Sequence, residues 1–467
     1  MSDNATLSGE LLNWAGELLG GPIVEARRHD ARREAWVLDA ETSAGRQRGF
    51  LRLDRALAEG RGSRRNLRRE TSLIRALAHT DVPAQRILGW NSRHCAALQS
   101  WLPGEANLSQ APSEHRRRIM REFMEVLARL HRVDIDELDV ADFQRPTSAR
   151  EQAMLELEAI EEPALFPVSA CRSDALCAFG KHWLERHAPT GAAVNVLVQG
   201  DTGPGNFMFD QHGITGIMDW EWAHFGDPME DLGNIWLRDF LNPASDGDLR
   251  PLFDHYSRCS GFSLDHSRIL YYRIHQLVRS AITLHYLHRE LDWRTAIPLN
   301  LGYRAIIELE TCAAMAEQAG RPRRTVPTLA PPPLTRSVQR SLARQLEGLI
   351  APHLEDPFSR QLALGQSAVL DYLALQAHHQ ADLTMQELEG LRRLLGERIT
   401  EVESGRAELL AQLPALSDTD ELRVLDHLYE QALNQAALMA PLTQPWQEAR
   451  WARVESPPTP PPEEPDY

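Results

Sequence analysis

The chain has 467 residues, of which 43% are hydrophobic, and it carries a formal net charge of −16. This length supplies a core for more than one domain, and the negative charge argues against a nucleic-acid-binding protein. Apolar residues never run uninterrupted for the ~18 positions that a membrane-spanning helix needs, so the sequence predicts no membrane span.

The cysteines, the single lysine and the N-terminus bear on where the protein resides. The five cysteines form no Cys-x-x-Cys pair, and an odd number of dispersed thiols favours a reduced cytoplasmic protein whose cysteines serve as small hydrophobes. The N-terminus carries acids where a secretory signal carries bases, which predicts no export. Lys181 stands alone beside abundant arginine, a codon-driven usage that indicates a bacterial protein.

Residues 1–102 are predicted to form an N-terminal domain of strands with one helix. The predicted strands are Ile23–Arg28, Glu34–Ala40, Phe50–Leu53 and Ala96–Leu102. Before the last strand, Leu67–Ala78 has helical spacing and carries Glu70. Several arginines near this helix form either a solvated face or a phosphate-binding surface. They are Arg61, Arg64, Arg65, Arg68 and Arg69.

Residues 103–322 are predicted to be mainly helical around one irregular segment. Glu114–His131 and Ala175–His187 are amphipathic helices before it, and Tyr271–Leu291 is the clearest helix after it. The histidine that ends the first of these helices is predicted to be structural. The irregular segment, residues 197–232, reads LVQGDTGPGNFMFDQHGITGIMDWEWAHFGDPMEDL.

Within this segment the chain is predicted to make two short strands and a returning hairpin. Val196–Val198 and Phe207–Phe209 are apolar runs, and Pro204 keeps the loop between them from being helical. A turn at residues 210–213 then reverses the chain. The hairpin brings Asp219 back beside the loop.

Three polar residues of this segment predict a phosphoryl-transfer site. The carboxylate of Asp201 can take a proton, and Asn206 follows five residues later. Asn206 and Asp219 offer the hard oxygen ligands that Mg²⁺ prefers, while phosphates and water supply its other ligands. The spacing therefore predicts a magnesium-nucleotide site.

The segment resembles the aminoglycoside phosphotransferase family, which includes choline and homoserine kinases among its relatives. The family pattern is His-Gly-Asp, an Asn five residues after the Asp, an Ile-Asp-Trp-like strand end, Gly-Asp-Pro and a further Asp-Leu. The resemblance implies that Asp201 is the catalytic base and that Asn206 and Asp219 hold magnesium. It also implies that Asp231 braces the catalytic loop through backbone N–H groups, while Asp227 fixes the Gly-Asp-Pro turn.

The resemblance further implies a two-lobed protein-kinase-like fold of the α+β class, followed by an all-α domain. Residues 1–102 would be the small, nucleotide-binding lobe and residues 103–322 the catalytic lobe. A small-lobe lysine usually holds the phosphates in the family, and here that basic residue must be an arginine. Arg52, paired with Glu70, is the first choice, and Arg55 is the alternative on strand register.

The resemblance also bears on the residue near the nucleotide base and on the residue that precedes Gly200 in the catalytic loop. Trp101 or Gln99 would lie near the nucleotide base, where Pro103-Gly104 ends the strand between the lobes. Gln199 stands where the family usually has His, and an amide can hold a loop but cannot titrate near neutral pH. The chemistry should survive this exchange, because the base is the Asp.

The C-terminal part is predicted to be a separate helical unit. Residues 323–335 are proline-rich and predict an exposed linker, and residues 336–450 predict a small antiparallel bundle without a catalytic constellation. Helices are predicted to begin near Val338, Leu362, Met385 and Leu422. Residues 451–467 predict a disordered proline-rich tail. Upstream of the linker, His285 and His288 share a helical face and could bind metal if a third ligand were present.

The sequence therefore predicts a phosphotransferase that uses Mg²⁺ and ATP or GTP and acts on a hydroxyl of a small molecule. The alternative is a non-catalytic binding or scaffold protein, because the chain lacks a phosphate-covering glycine loop and the usual lysine. The acceptor stays open between cationic compounds such as aminoglycosides or choline and hydroxylated acyl compounds. Acceptor-pocket candidates are Trp236, Arg238, His275 and Arg279. The bundle could mediate homo-oligomerisation, and the linker predicts that it is separable from the kinase lobes.

Overall fold

A computed structural model of the chain describes residues 7–29, 34–60, 64–160, 169–289, 297–443, 446 and 449–454. The chain divides into two compact units. Unit 1 comprises residues 1–153, 190–269 and 450–467, and unit 2 comprises residues 154–189 and 270–449. Within the described ranges, every helix is too short or too polar to cross a bilayer.

The strands, in chain order, are β1 (Ile23–His29), β2 (Ala35–Thr42), β3 (Gly45–Leu53), β4 (Ile87–Asn91), β5 (Ala96–Ser100), β6 (Val196–Val198), β7 (Phe207–Phe209), β8 (Ile214–Ile217) and β9 (His224–Gly226). The helices are α1 (Gly9–Leu19), α2 (Arg55–Ala58), α3 (Leu67–Leu77), α4 (Ser113–His131), α5 (Ala149–Ile160), α6 (Ala175–Arg186), α7 (Pro228–Leu241), α8 (Arg250–Ser260), α9 (His266–Arg289), α10 (Ile297–Gln318), α11 (Val338–Gln345), α12 (Pro357–Leu395), α13 (Val402–Gln412) and α14 (Asp418–Leu438). The predicted α+β class is confirmed, including the helical C-terminal region.

The N-terminal part of unit 1 is a five-stranded antiparallel sheet in the order β1-β2-β3-β5-β4. Apolar side chains on one face of the sheet, among them Leu38, Leu51 and Leu98, pack with Leu11 of α1. Four strands follow the sequence prediction, whereas β4 is an addition. Its residues are all half-buried and show no inside–outside alternation, so the two-residue period that marks a strand is missing.

Two short two-stranded sheets in unit 1 carry the polar segment, and β7–β8 is a hairpin. The ladder β6–β9 and the ladder β7–β8 are both antiparallel. Backbone bonds fasten the second ladder to the N-terminal part, because Ile217 N donates to Pro83 O at 2.8 Å and Glu105 exchanges both backbone bonds with Phe209. The predicted strands and returning hairpin are confirmed.

Unit 2 is helical. Helices α10, α12 and α14 share an apolar core that includes Ala305, Tyr372 and Leu438. The sequence predicted separate helices near Leu362 and Met385, and this is wrong: both lie in the single 39-residue helix α12. From Gln366 to Met385 the chain contains no proline or glycine, so nothing there breaks the helix.

The segment predicted as a linker is extended and mostly exposed, yet it is docked within unit 2. Arg323 forms an ion pair with Glu310 of α10, and the Arg324 backbone N donates to the Tyr429 hydroxyl at 3.1 Å. Residues 270–322, assigned from sequence to the catalytic lobe, thus share unit 2 with the C-terminal helices. The domain boundaries themselves stay a prediction, because a division by contacts does not show which parts fold alone.

All five cysteines are free thiols, as predicted from their spacing. Only Cys177 and Cys312 are buried, so the expectation that every cysteine is a buried hydrophobe is wrong for the other three.

Candidate active site

The loop that joins β6 to β7 carries Asp201 and is shaped by three glycines. Gly200, Gly203 and Gly205 have φ angles of +82°, +142° and +97°, in a region that L side chains rarely adopt. At Gly203 a Cβ atom would also lie 2.7 Å from Cβ of Arg238. The loop approaches α7 this closely because it lacks side chains at these positions.

Asp231, in the first turn of α7, anchors the start of the loop. Its carboxylate accepts backbone bonds from Gln199 N at 2.9 Å and Gly200 N at 3.0 Å. It also accepts a bond from the Thr202 hydroxyl and lies 3.0 Å from Nε2 of His131. Burial opposes ionisation of Asp231, but these bonds hold its pKa below the usual range. The bracing role that the resemblance implied matches this geometry, and the histidine is structural, as predicted.

Gln199 ties the loop to the returning hairpin. Its Nε2 donates to the backbone oxygens of Met218 at 2.9 Å and Asp219 at 2.8 Å. Its Oε1 accepts from Asp201 N at 2.8 Å and from the Thr202 hydroxyl at 3.0 Å. An amide supplies these donors and acceptors together without titrating, so the Gln in place of the family His helps Asp231 to hold the loop.

Asp201 is held by two side chains. Asn206 Nδ2 donates to Oδ2 of Asp201 at 2.8 Å, and Arg238 Nη2 donates to the same oxygen at 2.5 Å. Sequence reasoning gave Arg238 only as one of several pocket candidates and missed this contact. The signal was its spacing, since seven residues after Asp231 are two helical turns, and both side chains therefore face the loop.

Asp219 lies next to Asn206 at the end of β8. Met218 N donates to Asn206 O at 2.9 Å, which fixes this proximity. Asp219 adopts a left-handed conformation, with φ of 60°, which is uncommon for a residue with a side chain and marks a constrained position. Burial, with the charges of Glu221 and Glu70, raises the pKa of Asp219 to about 7 despite the opposing charge of Arg52.

Arg52 of β3 forms an ion pair with Glu70 of α3, and both side chains are largely buried. Arg55, the alternative, is instead bound to Glu34 at 2.7 and 3.0 Å. The structure therefore gives the predicted Arg–Glu pair to Arg52. Both charges also act on the pKa of Asp219, which Glu70 raises and Arg52 lowers. Arg52 and Glu70 therefore lie close enough to the hairpin to influence it.

Trp101 and Gln99 are not joined to this group by any contact among the described residues. Trp101 is 38% exposed, and the guanidinium of Arg48 lies 5.2 Å from its ring centroid. Gln99 is fully buried on β5, and in the part of the chain that the structure describes neither polar atom of its side chain has a hydrogen-bond partner.

Two of the arginines near α3 are structural links. Arg65 lies over the Trp222 ring at 4.2 Å, and Arg69 donates to Ala223 O at 2.7 Å while covering the ring of Phe143. A solvated face is therefore wrong for Arg65, which is buried, and both arginines fasten α3 to the turn after β8; phosphate binding stays a prediction. Arg61 lies outside the described residues.

In this group of residues, the Asp201 carboxylate lies beside the Asn206 amide and the Arg238 guanidinium. The second carboxylate, that of Asp219, lies among other acids. The first arrangement can accept a proton from a bound hydroxyl. The second concentrates negative charge, which favours a divalent cation with oxygen ligands. The residues so connected are Arg52, Glu70, Asp201, Asn206, Asp219, Glu221 and Arg238.

Residues 27–269, more than half of the chain, match the sequence model of the phosphotransferase enzyme family, APH. This range contains all six residues that the sequence predicts for the site. A search of curated proteins finds no match.

Solved structures of similar fold include three phosphotransferases. A Ralstonia eutropha protein classed with the aminoglycoside phosphotransferases is 19% identical, with 66% of this chain and 97% of that chain covered and a TM-score of 0.49. The choline kinase of Streptococcus pneumoniae is 13% identical, with 66% and 98% covered and a TM-score of 0.45. An aminoglycoside phosphotransferase of Streptomyces rimosus is 17% identical, with 55% and 92% covered and a TM-score of 0.38.

Proposed function

Because the chain belongs to the phosphotransferase enzyme family, we propose that it is a small-molecule kinase that moves the γ-phosphoryl group of ATP or GTP to a hydroxyl. The observation that carries the proposal is the loop in which Asp201 contacts Asn206 and Arg238, next to Asp219. Phosphoryl transfer depends mainly on positioning and electrostatics, and this loop is fixed at both ends by buried hydrogen bonds.

Asp201 is the proposed base. It binds the acceptor hydroxyl and takes its proton as the phosphoryl group leaves. The bonds from Asn206 and Arg238 both fall on Oδ2, so they set the rotation of the carboxylate and present Oδ1 in one direction. The guanidinium of Arg238 complements the charge of the base before the proton is transferred.

Asn206 and Asp219 are the proposed magnesium ligands, and the residues present fit such an ion. Asn206 uses its Nδ2 toward Asp201, so Oδ1 is its atom for a cation. Asp219 stands among acids whose charges disfavour its ionisation, a strain that a divalent cation would relieve. Bound there, magnesium would offset the charge of the phosphate oxygens.

Arg52 is the proposed phosphate-binding residue of the small lobe. Its pairing with Glu70 of α3 fixes the largely buried guanidinium near the charge of Asp219. A guanidinium forks onto phosphate oxygens more rigidly than an ammonium group does. Trp101, which is partly exposed beyond β5, would contact the base of the nucleotide.

The test is a nucleotide-consumption screen of the full chain against pooled hydroxylated metabolites, with magnesium and with a chelator. We expect at least one pool to give magnesium-dependent consumption. Asp201→Asn should lower that turnover by a factor on the order of 10² or more and leave nucleotide affinity nearly unchanged. Asp210→Asn, in the exposed turn of the same hairpin, is the matched control and should keep full activity.

Two outcomes contradict the proposal. Full turnover in Asp201→Asn would remove the base from the mechanism. Nucleotide binding that ignores magnesium, with no turnover in any pool, would favour the scaffold alternative.

A further inference from the structure

Three side chains in unit 2 meet where α6 begins. Asp174 caps α6 by accepting a bond from Cys177 N at 2.9 Å, and His285 reaches the same point from α9. The carboxylate oxygen, the thiol sulfur and a ring nitrogen of these three residues all lie within 4.8 Å of one another. Tetrahedral donors with metal–ligand bonds of about 2.0–2.3 Å stand about 3.3–3.8 Å apart, so side-chain rotations that shorten the longer separations would complete a site.

Both nitrogens of the His285 ring face a polar neighbour, at 3.3 and 3.4 Å. Its Nδ1 is buried and has no aligned hydrogen bond among the described residues, although Asp174 Oδ2 is only 3.4 Å away. Its Nε2 lies 3.3 Å from the Ser173 hydroxyl. With the ring proton on Nδ1, the ring donates to Asp174; with the proton on Nε2, Nδ1 and Asp174 Oδ2 point their lone pairs at the same place, where a cation can bind both.

We propose that Asp174, Cys177 and His285 bind a Zn²⁺ ion that fastens the start of α6 to the C-terminal half of α9. One sulfur, one nitrogen and one oxygen donor form a set that zinc accepts, whereas magnesium and calcium take oxygen ligands. A water molecule completes the tetrahedron. The Ser173 hydroxyl holds the other nitrogen of the histidine, the usual arrangement behind a metal-bound imidazole.

The surrounding charges suit a divalent ion. Arg304 Nη2 lies 3.7 Å from Asp174 Oδ2, while Nε of the same guanidinium donates to Glu308 at 2.6 Å. With zinc present, the positive charges of the ion and of Arg304 balance those of Asp174, the Cys177 thiolate and Glu308. Without an ion, the pocket holds two carboxylates and one guanidinium.

This site replaces the metal pair that the sequence suggested. In the sequence analysis, His285 was paired with His288 on the same helical face, and that pair lacked a third ligand. The side chain of His288 lies outside the described residues, and the structure supplies the partners from α6 instead. Asp174 at the N-cap of α6, Cys177 in its first turn and His285 on α9 would join segments that are more than 100 positions apart in the chain.

The experiment measures zinc in the full-length protein. After expression with zinc and dialysis, plasma mass spectrometry should give one zinc per chain, and competition with a chelator should give a dissociation constant below about 1 μM. Cys177→Ser and His285→Gln should each weaken binding about tenfold or more. Asp174→Asn keeps the helix cap and should also weaken it. The matched control is Cys95→Ser, a partly exposed thiol in unit 1, which should bind zinc as the parent does.

A spectroscopic measurement guards against variants that unfold. Cobalt in place of zinc should give the charge-transfer absorption of a thiolate ligand in the unmodified protein. Zinc well below one per chain, binding unchanged in Cys177→Ser and His285→Gln, or a cobalt spectrum without thiolate absorption would each overturn the proposal. The site is independent of the kinase activity, so neither test depends on a substrate.

Discussion

At the scale of single residues, Arg238 is the contact that distinguishes this site from what the sequence motif alone describes. It donates to Asp201 at 2.5 Å from α7. We expect Arg238→Gln to lower kcat by a factor of about 10 to 100, because the base loses its orientation, while nucleotide affinity changes little. Steady-state kinetics beside calorimetry separates these effects.

Arg250→Gln is the matched control for that variant. Arg250, the first residue of α8, is partly exposed and pairs with Asp248, which precedes the helix. Loss of this pair should leave kcat unchanged. Equal kcat in Arg238→Gln and the parent would show that Arg238 does not position the base.

Asp219 gives a pH dependence whose sign can be worked out. Its pKa in the folded chain is raised to about 7 by burial and by Glu221 and Glu70, against about 3.9 in an unfolded chain. The folded state therefore holds the proton more tightly. This contribution to stability is complete below about pH 4 and is lost as the pH rises through about 7.

We accordingly expect the Tm of the metal-free protein to fall between about pH 4 and pH 7 more steeply than that of Asp219→Asn. Magnesium should restore part of the loss near neutral pH, because the cation takes the place of the proton. Scanning calorimetry in matched buffers measures both effects. Asp210→Asn, the exposed control, should follow the parent; parallel curves for the parent and Asp219→Asn would contradict the expectation.

The motif made Asp201, Asn206 and Asp219 predictable, because the loop and hairpin that carry them are local in sequence. Arg52 and Glu70 are adjacent only after β3 and α3 have packed, and the family resemblance supplied that pair. Arg65 and Arg69 could not be assigned, since a charged side chain that packs on a distant aromatic ring has the same local sequence as one in solvent.

At the scale of elements, the catalytic loop depends on one carboxylate at the start of α7. Asp231 accepts bonds from Gln199, Gly200 and Thr202 and contacts His131, all in the interior. We expect Asp231→Asn to lower the free energy of unfolding by about 3 kcal/mol, because an amide cannot accept all of these bonds and its own donors face other donors. Urea denaturation measures the change.

The control for Asp231→Asn is Asp248→Asn, which alters a carboxylate that is bonded near the surface of unit 1. It should cost less than about 1 kcal/mol. If the two variants proved equally stable, Asp231 would not be the anchor of the loop. Glycine and proline spacing predicted this loop correctly, whereas the continuity of α12 was missed because its apolar residues were read as two groups, one beginning near Leu362 and one near Met385.

At the scale of the whole molecule, the end of the described chain returns to unit 1. Trp451 stacks on Phe240 at 4.4 Å between ring centroids, and Trp236 donates to Ala452 O at 2.9 Å. Both partners lie on α7, the helix that carries Arg238. Sequence patterns assigned residues 451–467 to a disordered tail, and for residues 451–454 this is wrong, because two tryptophans and a backbone bridge to Asp248 hold them in place. Residues 455–467 lie outside the described part.

The predicted linker suggested that a chain ending near Arg324 would fold and bind nucleotide. The packing argues for the opposite result. Such a chain would uncover the face of α10 that includes Ala305, which packs with α12 and α14, and would remove Trp451 from α7. We expect it to aggregate or to unfold at a lower temperature, since large apolar surface would be exposed.

A chain ending at Val454 is the matched control, because it removes only residues 455–467, and it should keep the Tm and nucleotide affinity of the parent.

Trp451→Ala tests the α7 contact alone. Removing a stacked indole costs about 3 kcal/mol or more when its site cannot collapse, and we expect nucleotide turnover to fall with it because α7 positions Arg238. Size-exclusion mass measurement, thermal scans and nucleotide titration of the three proteins distinguish the cases. A soluble, folded protein ending at Arg324 with unchanged nucleotide affinity would show that the lobes are separable and that the C-terminal segment does not support the site.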